Sequence, residues 1–341
     1  MRYPALSVLP QPPQGKTGWP WTEESPALPN TVPGGASWPK VSIVTPSLNQ
    51  GQFIEETIRS VLLQGYPNLE YLVIDGGSTD GSLEIIHRYE PWLSSWVSEP
   101  DRGQSDAINK GFSKSSGEIM AWLNSDDTYA PKALATAARY FLENPACNML
   151  YGEAWHTDEG GRRLRPCRTV INPIPKRHIL NIDPIVQPAT FWRRGLWLEI
   201  GELDTSLIWG FDWDFFIRAH LHTEHSLRAA IQLVLKPWSL TSSSDLHYIP
   251  YIPEFLANSR LHDKTKTNLG GMRRHRELAG IARRHGGWYQ PTNLVYQAAR
   301  PSYIVQSLTA KWPACVRKPL VSLFAIPLLC LKRLLIGTFM C

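Results

Sequence analysis

The sequence of 341 residues lacks most of the features that would place it quickly. Its five cysteines, Cys147, Cys167, Cys315, Cys330 and Cys341, form no CxxC pair and have no metal-ligand spacing. An odd, scattered set excludes a disulfide framework or a zinc ribbon and suits reduced thiols in a cytosolic protein. The opening stretch, MRYPALSVLPQPPQGKTGWPW, has no apolar core of the kind that directs secretion. No run reaches the roughly 18 uninterrupted apolar residues of a spanning helix. The nearest, residues 319–341, is broken by Pro327 and split by Lys332–Arg333. Charge is sparse at 19%, with 35 basic against 30 acidic residues and a net charge of +5. That excess suits an anionic ligand or a membrane surface and falls short of a nucleic-acid footprint. There is no G-x-G-x-x-G after an early strand and no phosphate loop of the G-x-x-x-x-G-K type. A nicotinamide dinucleotide site and a P-loop site are therefore both excluded.

What is present is uneven. The length allows about two domains, or one with appendages. Hydrophobic residues reach 43%, enough for a buried core. Residues 1–40 are rich in proline and glycine, with Trp19, Trp21 and Trp38 among them. Proline lacks the amide donor and fixes φ, so this stretch reads as an extended arm. It is either a solvated tail or a strap whose indoles lie on the body.

From residue 41 strands and helices alternate. VSIVTP reads as a buried strand, FIEETIRSVLLQG as a helix, EYLVID as a strand and LEIIHRYEPWL as a helix. WVSE is a third strand, followed by a helix from about 105 to 114. IMAWLN is a fourth strand, SDDTYAP a loop and KALATAARYFLENP a helix. The alternation predicts an α/β fold, a Rossmann-like, mostly parallel sheet with helices on both faces. Residues 148–180 read as hairpin material with a turn at 158–161, and a helix begins near 212. Beyond 255 the segments are basic and helical, among them MRRHRELAGIARRHGG. That run is read by default as a solvated helix face.

Ligands of open parallel sheets bind beyond the carboxyl ends of the strands. Three such ends carry polar clusters: Thr45–Pro46–Ser47–Leu48–Asn49, Asp75–Gly76–Gly77–Ser78–Thr79–Asp80 and Asn124–Ser125–Asp126–Asp127. Asp75 offers an acceptor to a base imide N–H. Gly76 and Gly77 permit close approach of backbone. Asp126 and Asp127 are hard oxygen donors suited to Mg or Mn at a diphosphate. Taken singly, IDGGSTD is also an ordinary turn with Asp80 capping a helix, and SDD an ordinary cap.

Together, VSIVTPSLNQGQFIEETIRSVLLQGYPNLEYLVIDGGSTDGS, EPDRGQSDAINKGF and GEIMAWLNSDDTYAP resemble the nucleotide-binding half of family 2 glycosyltransferases, which have the GT-A fold. The resemblance covers about residues 41–131. It implies a domain over 41–265, with its acceptor side at 148–265, followed by a helical basic and apolar tail at 266–341. Thr45, Pro46 and Asn49 are then expected around the nucleoside, Asp75 at the base, and Gly77, Asp101, Gly103 and Asp106 near the nucleotide-sugar. Asn124–Ser125–Asp126 occupies the D-x-D position with Asn124 in place of its first acid, leaving Asp126 as the expected metal ligand. More loosely, QPATFWRRGLWLEIGELD and GFDWDFFIRA resemble the acceptor half, with Asp212 as base and Asp214 two residues on. A cap on its own helix is the other role open to Asp212. In LANSRLHDKT, Arg260 and His262 are expected at the leaving diphosphate. Residues 220–252 intervene between these motifs as an insertion.

The resemblance implies inverting transfer of a sugar from a nucleotide diphosphate donor, with UDP the first choice, to a glycan or lipid-linked hydroxyl. A divalent cation would act at the diphosphate. A non-catalytic nucleotide-sugar-binding scaffold is the alternative, supported by Asn124. A nucleotidyltransferase lacks support, because no basic glycine-rich loop follows the first strand. No nucleic-acid partner is expected. A cytoplasmic placement is expected, and the tail either contacts the inner membrane face or docks on the protein.

Overall fold

The computed structural model describes residues 4–167, 176–234, 249–263 and 265–289. The apolar run at 319–341, residues 235–248 of the insertion and the basic pairs Arg317–Lys318 and Lys332–Arg333 lie outside the described residues. Among the described residues no helix is long and apolar enough to cross a membrane. Cys147 and Cys167 are buried free thiols.

Four strands form a parallel half-sheet: β1 (Val41–Ser47), β2 (Leu69–Asp75), β3 (Ser95–Ser98) and β4 (Ile119–Trp122), in the order β3-β2-β1-β4. All seven residues of β1 are buried, as befits a strand covered on both faces. The covering helices are α1 (Ile54–Leu62), α2 (Ser82–Tyr89) and α3 (Gln104–Lys114). In α1 the spacing of Ile54, Ile58, Val61 and Leu62 puts all four in the core, at 0–1% exposure.

Beyond β4 the sheet turns mixed. β5 (Thr128–Tyr129) precedes α4 (Ala133–Glu143), β6 (Met149–Thr157) and β7 (Arg163–Pro166). Then come α5 (Lys176–Ile179), β8 (Thr190–Arg193), α6 (Arg194–Ile200), α7 (Phe211–Val234) and β9 (Tyr251–Arg260). The sheet continues β4-β8-β6-β9-β5, with β8 antiparallel to both β4 and β6, and β7 paired to β6. β6 and β9 run parallel, and β9 closes antiparallel on β5. β5 is a correction to the sequence reading, which left SDDTYAP as loop: a two-residue strand is set by its long-range partner β9 and has no period of its own to read. Two short helices follow, α8 (Lys266–Leu269) and α9 (Gly271–Arg284).

The arm lies on the body. Trp21 and Trp38 are 6% and 4% exposed, and the Trp19 indole donates to the Tyr129 carbonyl at 2.8 Å. Its anchor is Arg59 of α1, which is fully buried. The guanidinium donates to the carbonyls of Pro10, Pro20 and Trp21 and to the Tyr89 hydroxyl at 2.8–3.0 Å, and lies over the Trp21 ring. Proline-rich backbone cannot satisfy its carbonyls in a ladder, so one guanidinium serves several at once. Three residues past the end of α1, Gly65 has φ 63°, and a Cβ there would lie 2.5 Å from the Pro26 carbonyl oxygen. Arm and helix end thus approach closely because that residue has no side chain.

Arg59→Met is expected to lower the unfolding free energy by about 3 kcal/mol or more, since buried carbonyls lose their donors. Arg59→Lys should recover little, because an ammonium lacks the planar fork. Urea unfolding of the full chain measures both.

Candidate active site

The strand ends converge on a cleft of about 470 Å³, within the range that accepts a cofactor-sized ligand. Pro46, Asp101, Gly103, Asn124, Ser125, Asp126, Asp212, Arg260 and His262 line it, so nine of the expected site residues meet in one cavity. Thr45, Asn49, Asp75, Gly77 and Asp106 do not line it and instead shape the loops around it.

The framework roles are specific. Thr45 is buried, its hydroxyl 3.0 Å from that of Tyr71. Asn49 adopts φ 53°, which asparagine tolerates, and its carbonyl oxygen accepts the Thr79 N–H at 2.9 Å. Asp75 is wholly buried and accepts the N–H groups of Gly77 and Ser78 and the hydroxyls of Ser78 and Ser98. Its oxygens are committed to the turn. Gly76 exists for Asp101: a Cβ there would stand 2.5 Å from the Asp101 Oδ2. Asp101 in turn accepts the Gly103 N–H at 2.8 Å. Asp106 is bound by Arg102, whose backbone and guanidinium both donate to it, and these bonds hold its carboxyl below the usual range. Gly103, Gln104 and Ala107 bring the start of α3 to the cleft wall, where a helix N-terminus favours negative charge.

The Asn124–Asp127 loop is held from both sides. The Thr57 hydroxyl of α1 lies 2.9 and 2.7 Å from the carbonyls of Ser125 and Asp127. Arg260 Nε donates to the Asp126 carbonyl at 2.8 Å, and the Arg260 N–H to the Asp127 carboxylate at 2.9 Å. The rest of the Arg260 guanidinium reaches the carbonyls of Asp158 and Glu159 and forms an ion pair with Glu56 at 3.1 Å. Its side chain is 2% exposed, and these contacts tie it to the loop. Phe53 carries both neighbours, with the Arg260 guanidinium 4.8 Å and the His262 ring 4.9 Å from its centre.

So held, Asp126 turns its carboxylate to the cleft, with Oδ2 3.0 Å from His262 Nε2. This pair joins a hard oxygen to an imidazole nitrogen, a donor set suited to Mn and tolerable to Mg. Among the described residues no group of three or more acidic, His or Cys side chains is placed to hold a metal ion, so further ligands would come from diphosphate and water. Asn124 is bound into an amide chain. It accepts from Gln104 at 2.6 Å and donates to Gln187 and to Asp127, each at 3.2 Å. Burial and the Asp126 charge push the Asp127 carboxyl up to about 8.

Across the cleft, Asp212 stands in the first turn of α7 and accepts the Trp213 N–H at 2.8 Å. Burial pushes its carboxyl up to about 6 against the pull of Arg274. Asp214 is different. It is 2% exposed and bound by Arg218 at 2.9 Å and His285 at 2.8 Å, which hold its carboxyl low despite burial. Sequence reasoning missed Gln104, Gln187, His156 and Trp209, all of which line the cleft. Gln104 and Gln187 stand within quoted motifs but are ordinary amides there, and His156 and Trp209 fall outside those motifs.

Asn124→Asp removes two donated hydrogen bonds and adds a carboxyl beside Asp126 and Asp127. It should destabilise the chain by about 1–3 kcal/mol at neutral pH. A carboxyl there has its pKa raised, so the loss should shrink as pH falls and vanish below about pH 3, where it is protonated in both folded and unfolded states. Thermal unfolding across pH tests this.

Comparison with known proteins identifies the family. The family model for glycosyl transferase family 2 matches residues 42–195. An uncharacterized glycosyltransferase of Mycobacterium tuberculosis, Rv1514c, is 31% identical over 193 residues, covering 55% of this chain and 71% of that protein. The putative teichuronic acid biosynthesis glycosyltransferase TuaG of Bacillus subtilis is 31% identical over 125 residues, 36% of this chain and 50% of its own length. The mannosyltransferase PcManGT of Pyrobaculum calidifontis, solved with GDP-Man and Mn2+, shares the fold at TM-score 0.54 and 17% identity, over 90% of this chain and 84% of that one. With a GT-A fold, a cleft at its strand ends and these relatives, the chain belongs to the family 2 glycosyltransferases and is an enzyme that uses a nucleotide-sugar donor.

Proposed function

We propose that the chain transfers a sugar with inversion, by single displacement, onto a hydroxyl of a glycan or lipid-linked acceptor. The observation that carries this is Asp212, a carboxylate with a raised pKa that shares one cleft with the Asp126–His262 pair. The acceptor oxygen would enter beside Asp212, which takes its proton as the oxygen attacks the anomeric carbon. A base near neutrality is suited to that task. Asp126 and His262 would hold a divalent cation, with Mg or Mn the candidates. When bound, the ion supplies Lewis-acid neutralisation of charge on the departing diphosphate.

Asn124, Ser125, Asp101 and Gly103 would contact the donor, with Pro46 against the nucleoside. The committed oxygens of Asp75 favour a role in shaping the nucleoside loop. UDP-sugars head the donor panel, ahead of GDP- and dTDP-sugars. Envelope glycan synthesis is the setting suggested by the name of the TuaG relative. A cytoplasmic site of action with peripheral contact at the inner membrane face completes the proposal.

Asp212→Asn should lower transfer by about 10²–10⁴-fold while leaving nucleotide binding nearly unchanged. Transfer at the wild-type rate would refute the base assignment. The raised carboxyl implies an acid limb in kcat/KM near pH 6, with activity rising as pH rises through it. The same variant should match or exceed wild-type stability at neutral pH. A carboxyl with a raised folded pKa loses stability as pH climbs through that pKa, and asparagine does not.

Asp126→Asn and His262→Ala should each abolish the response of donor hydrolysis to Mn and to chelator. Nucleoside diphosphate release across the donor panel measures this, and an undiminished metal response in both variants would refute the ligand assignment.

A further inference from the structure

Helix α9 bears on the far side of Asp212. Its Glu277 carboxylate accepts three consecutive backbone N–H groups, those of Ile208 at 3.0 Å, Trp209 at 2.7 Å and Gly210 at 2.8 Å. These residues lead directly into α7, whose second residue is Asp212. Three amides on one carboxylate form a charge-assisted cluster that sets the path of the chain. The approach is close as well. A Cβ at Gly210 would stand 2.6 Å from Ile281 and 2.7 Å from Leu278, both on α9. The Trp209 indole is tied to the Lys266 carbonyl at 3.2 Å, and its residue lines the cleft. The C-terminal end of α9 holds the chain again on either side. Arg284 binds Asp204 at 2.7 Å, and His285, just past the helix, binds Asp214 at 2.8 Å.

We infer that Glu277 is a positioning residue for the reaction: by gathering the amides of residues 208–210 it sets both Asp212 and the Trp209 wall of the acceptor side. The inference rests on Asp212 as base. It adds that a helix outside the matched family segment, which ends at residue 195, completes the acceptor half of the site. A solvated basic helix, the default sequence reading of this stretch, would place no carboxylate under the active-site loop.

The charged groups that act on Asp212 come from three elements. Arg274 and Glu277 lie on α9, Lys266 on α8, and Asp183 on the loop before β8. Arg274 favours the ionised form of Asp212, and Glu277 opposes it. The two α9 side chains therefore have opposite electrostatic signatures, which a general loss of structure does not reproduce.

The test uses the full chain as wild type, Glu277→Gln, Glu277→Asp and Arg274→Gln, and needs no donor for its main readouts. Hydrogen exchange follows the amides of 208–210. Carbon NMR of aspartate-labelled chain follows the Asp212 carboxyl, assigned by its loss in Asp212→Asn. Glu277→Gln should speed exchange at 208–210 by about tenfold or more. It should also lower the Asp212 pKa, whereas Arg274→Gln should raise it. Glu277→Asp keeps the charge and should restore part of the protection.

Donor hydrolysis over UDP-, GDP- and dTDP-sugars should fall in kcat for Glu277→Gln with the donor KM unchanged. Wild-type exchange and an unmoved Asp212 titration in Glu277→Gln would overturn the inference, as would pKa changes of the same sign in Glu277→Gln and Arg274→Gln. Wild-type hydrolysis in Asp212→Asn would instead overturn the base assignment, and the exchange data would still judge whether Glu277 holds the loop.

Discussion

One buried guanidinium, that of Arg260, ties together parts of the chain that the cleft needs in register. It joins Glu56 of α1 to the Asp126 carbonyl and to the β6–β7 turn at Asp158 and Glu159. Its own backbone N–H meets Asp127. A cation so far from water is tolerable only when its nitrogens find acceptors, and here each of the three does. The geometry of Asp126 follows from it. With the Asp126 carbonyl held by Arg260 and the flanking carbonyls by Thr57, the carboxylate has little freedom except to face His262. β9, which carries Arg260, thereby brings the late part of the chain against the nucleotide half.

The acids near the site differ in character, and environment alone separates them. Asp106 and Asp214 are bound by Arg102 and by Arg218 with His285, which hold their carboxyls low. Asp127 is buried beside a like charge, so its ionisation is opposed. Asp212 lies between these extremes, buried enough to hold a proton more tightly and open enough to reach the cleft. One residue type thus spans a wide range of proton affinity around a single cavity, set by burial and partners.

The parallel half was legible in the sequence because its signals are local. β1, β2 and β4 are short apolar runs ended by polar clusters, and α1 repeats its apolar residues at helical spacing. The positions of Asp126 and Asp212 at one cleft followed from motif order. What stayed hidden depends on partners far apart in the chain. Asp75 and Arg260 have the right identity for ligand contacts, yet their bonds run to Ser98 and Glu56. No window of sequence contains both ends of such a bond. The arm posed the same difficulty: Trp21 and Trp38 suggested burial, but the acceptors that determine it are backbone carbonyls around Arg59. α9 was misleading for another reason. Its arginines dominate the composition, while the residues that matter to the cleft are a lone Glu277 and the apolar pair Leu278 and Ile281.

The position of α9 in the chain has a consequence for the order in which the enzyme is made. Translation delivers β1 to β4 early, and these four strands pair in parallel with one another. The brace on Asp212 arrives only when Glu277 has left the ribosome. Until then the nascent chain carries a nucleotide half without the carboxylate that gathers the amides of residues 208–210. Backbone order at residues 208–210 thus depends on a segment made well after the parallel half.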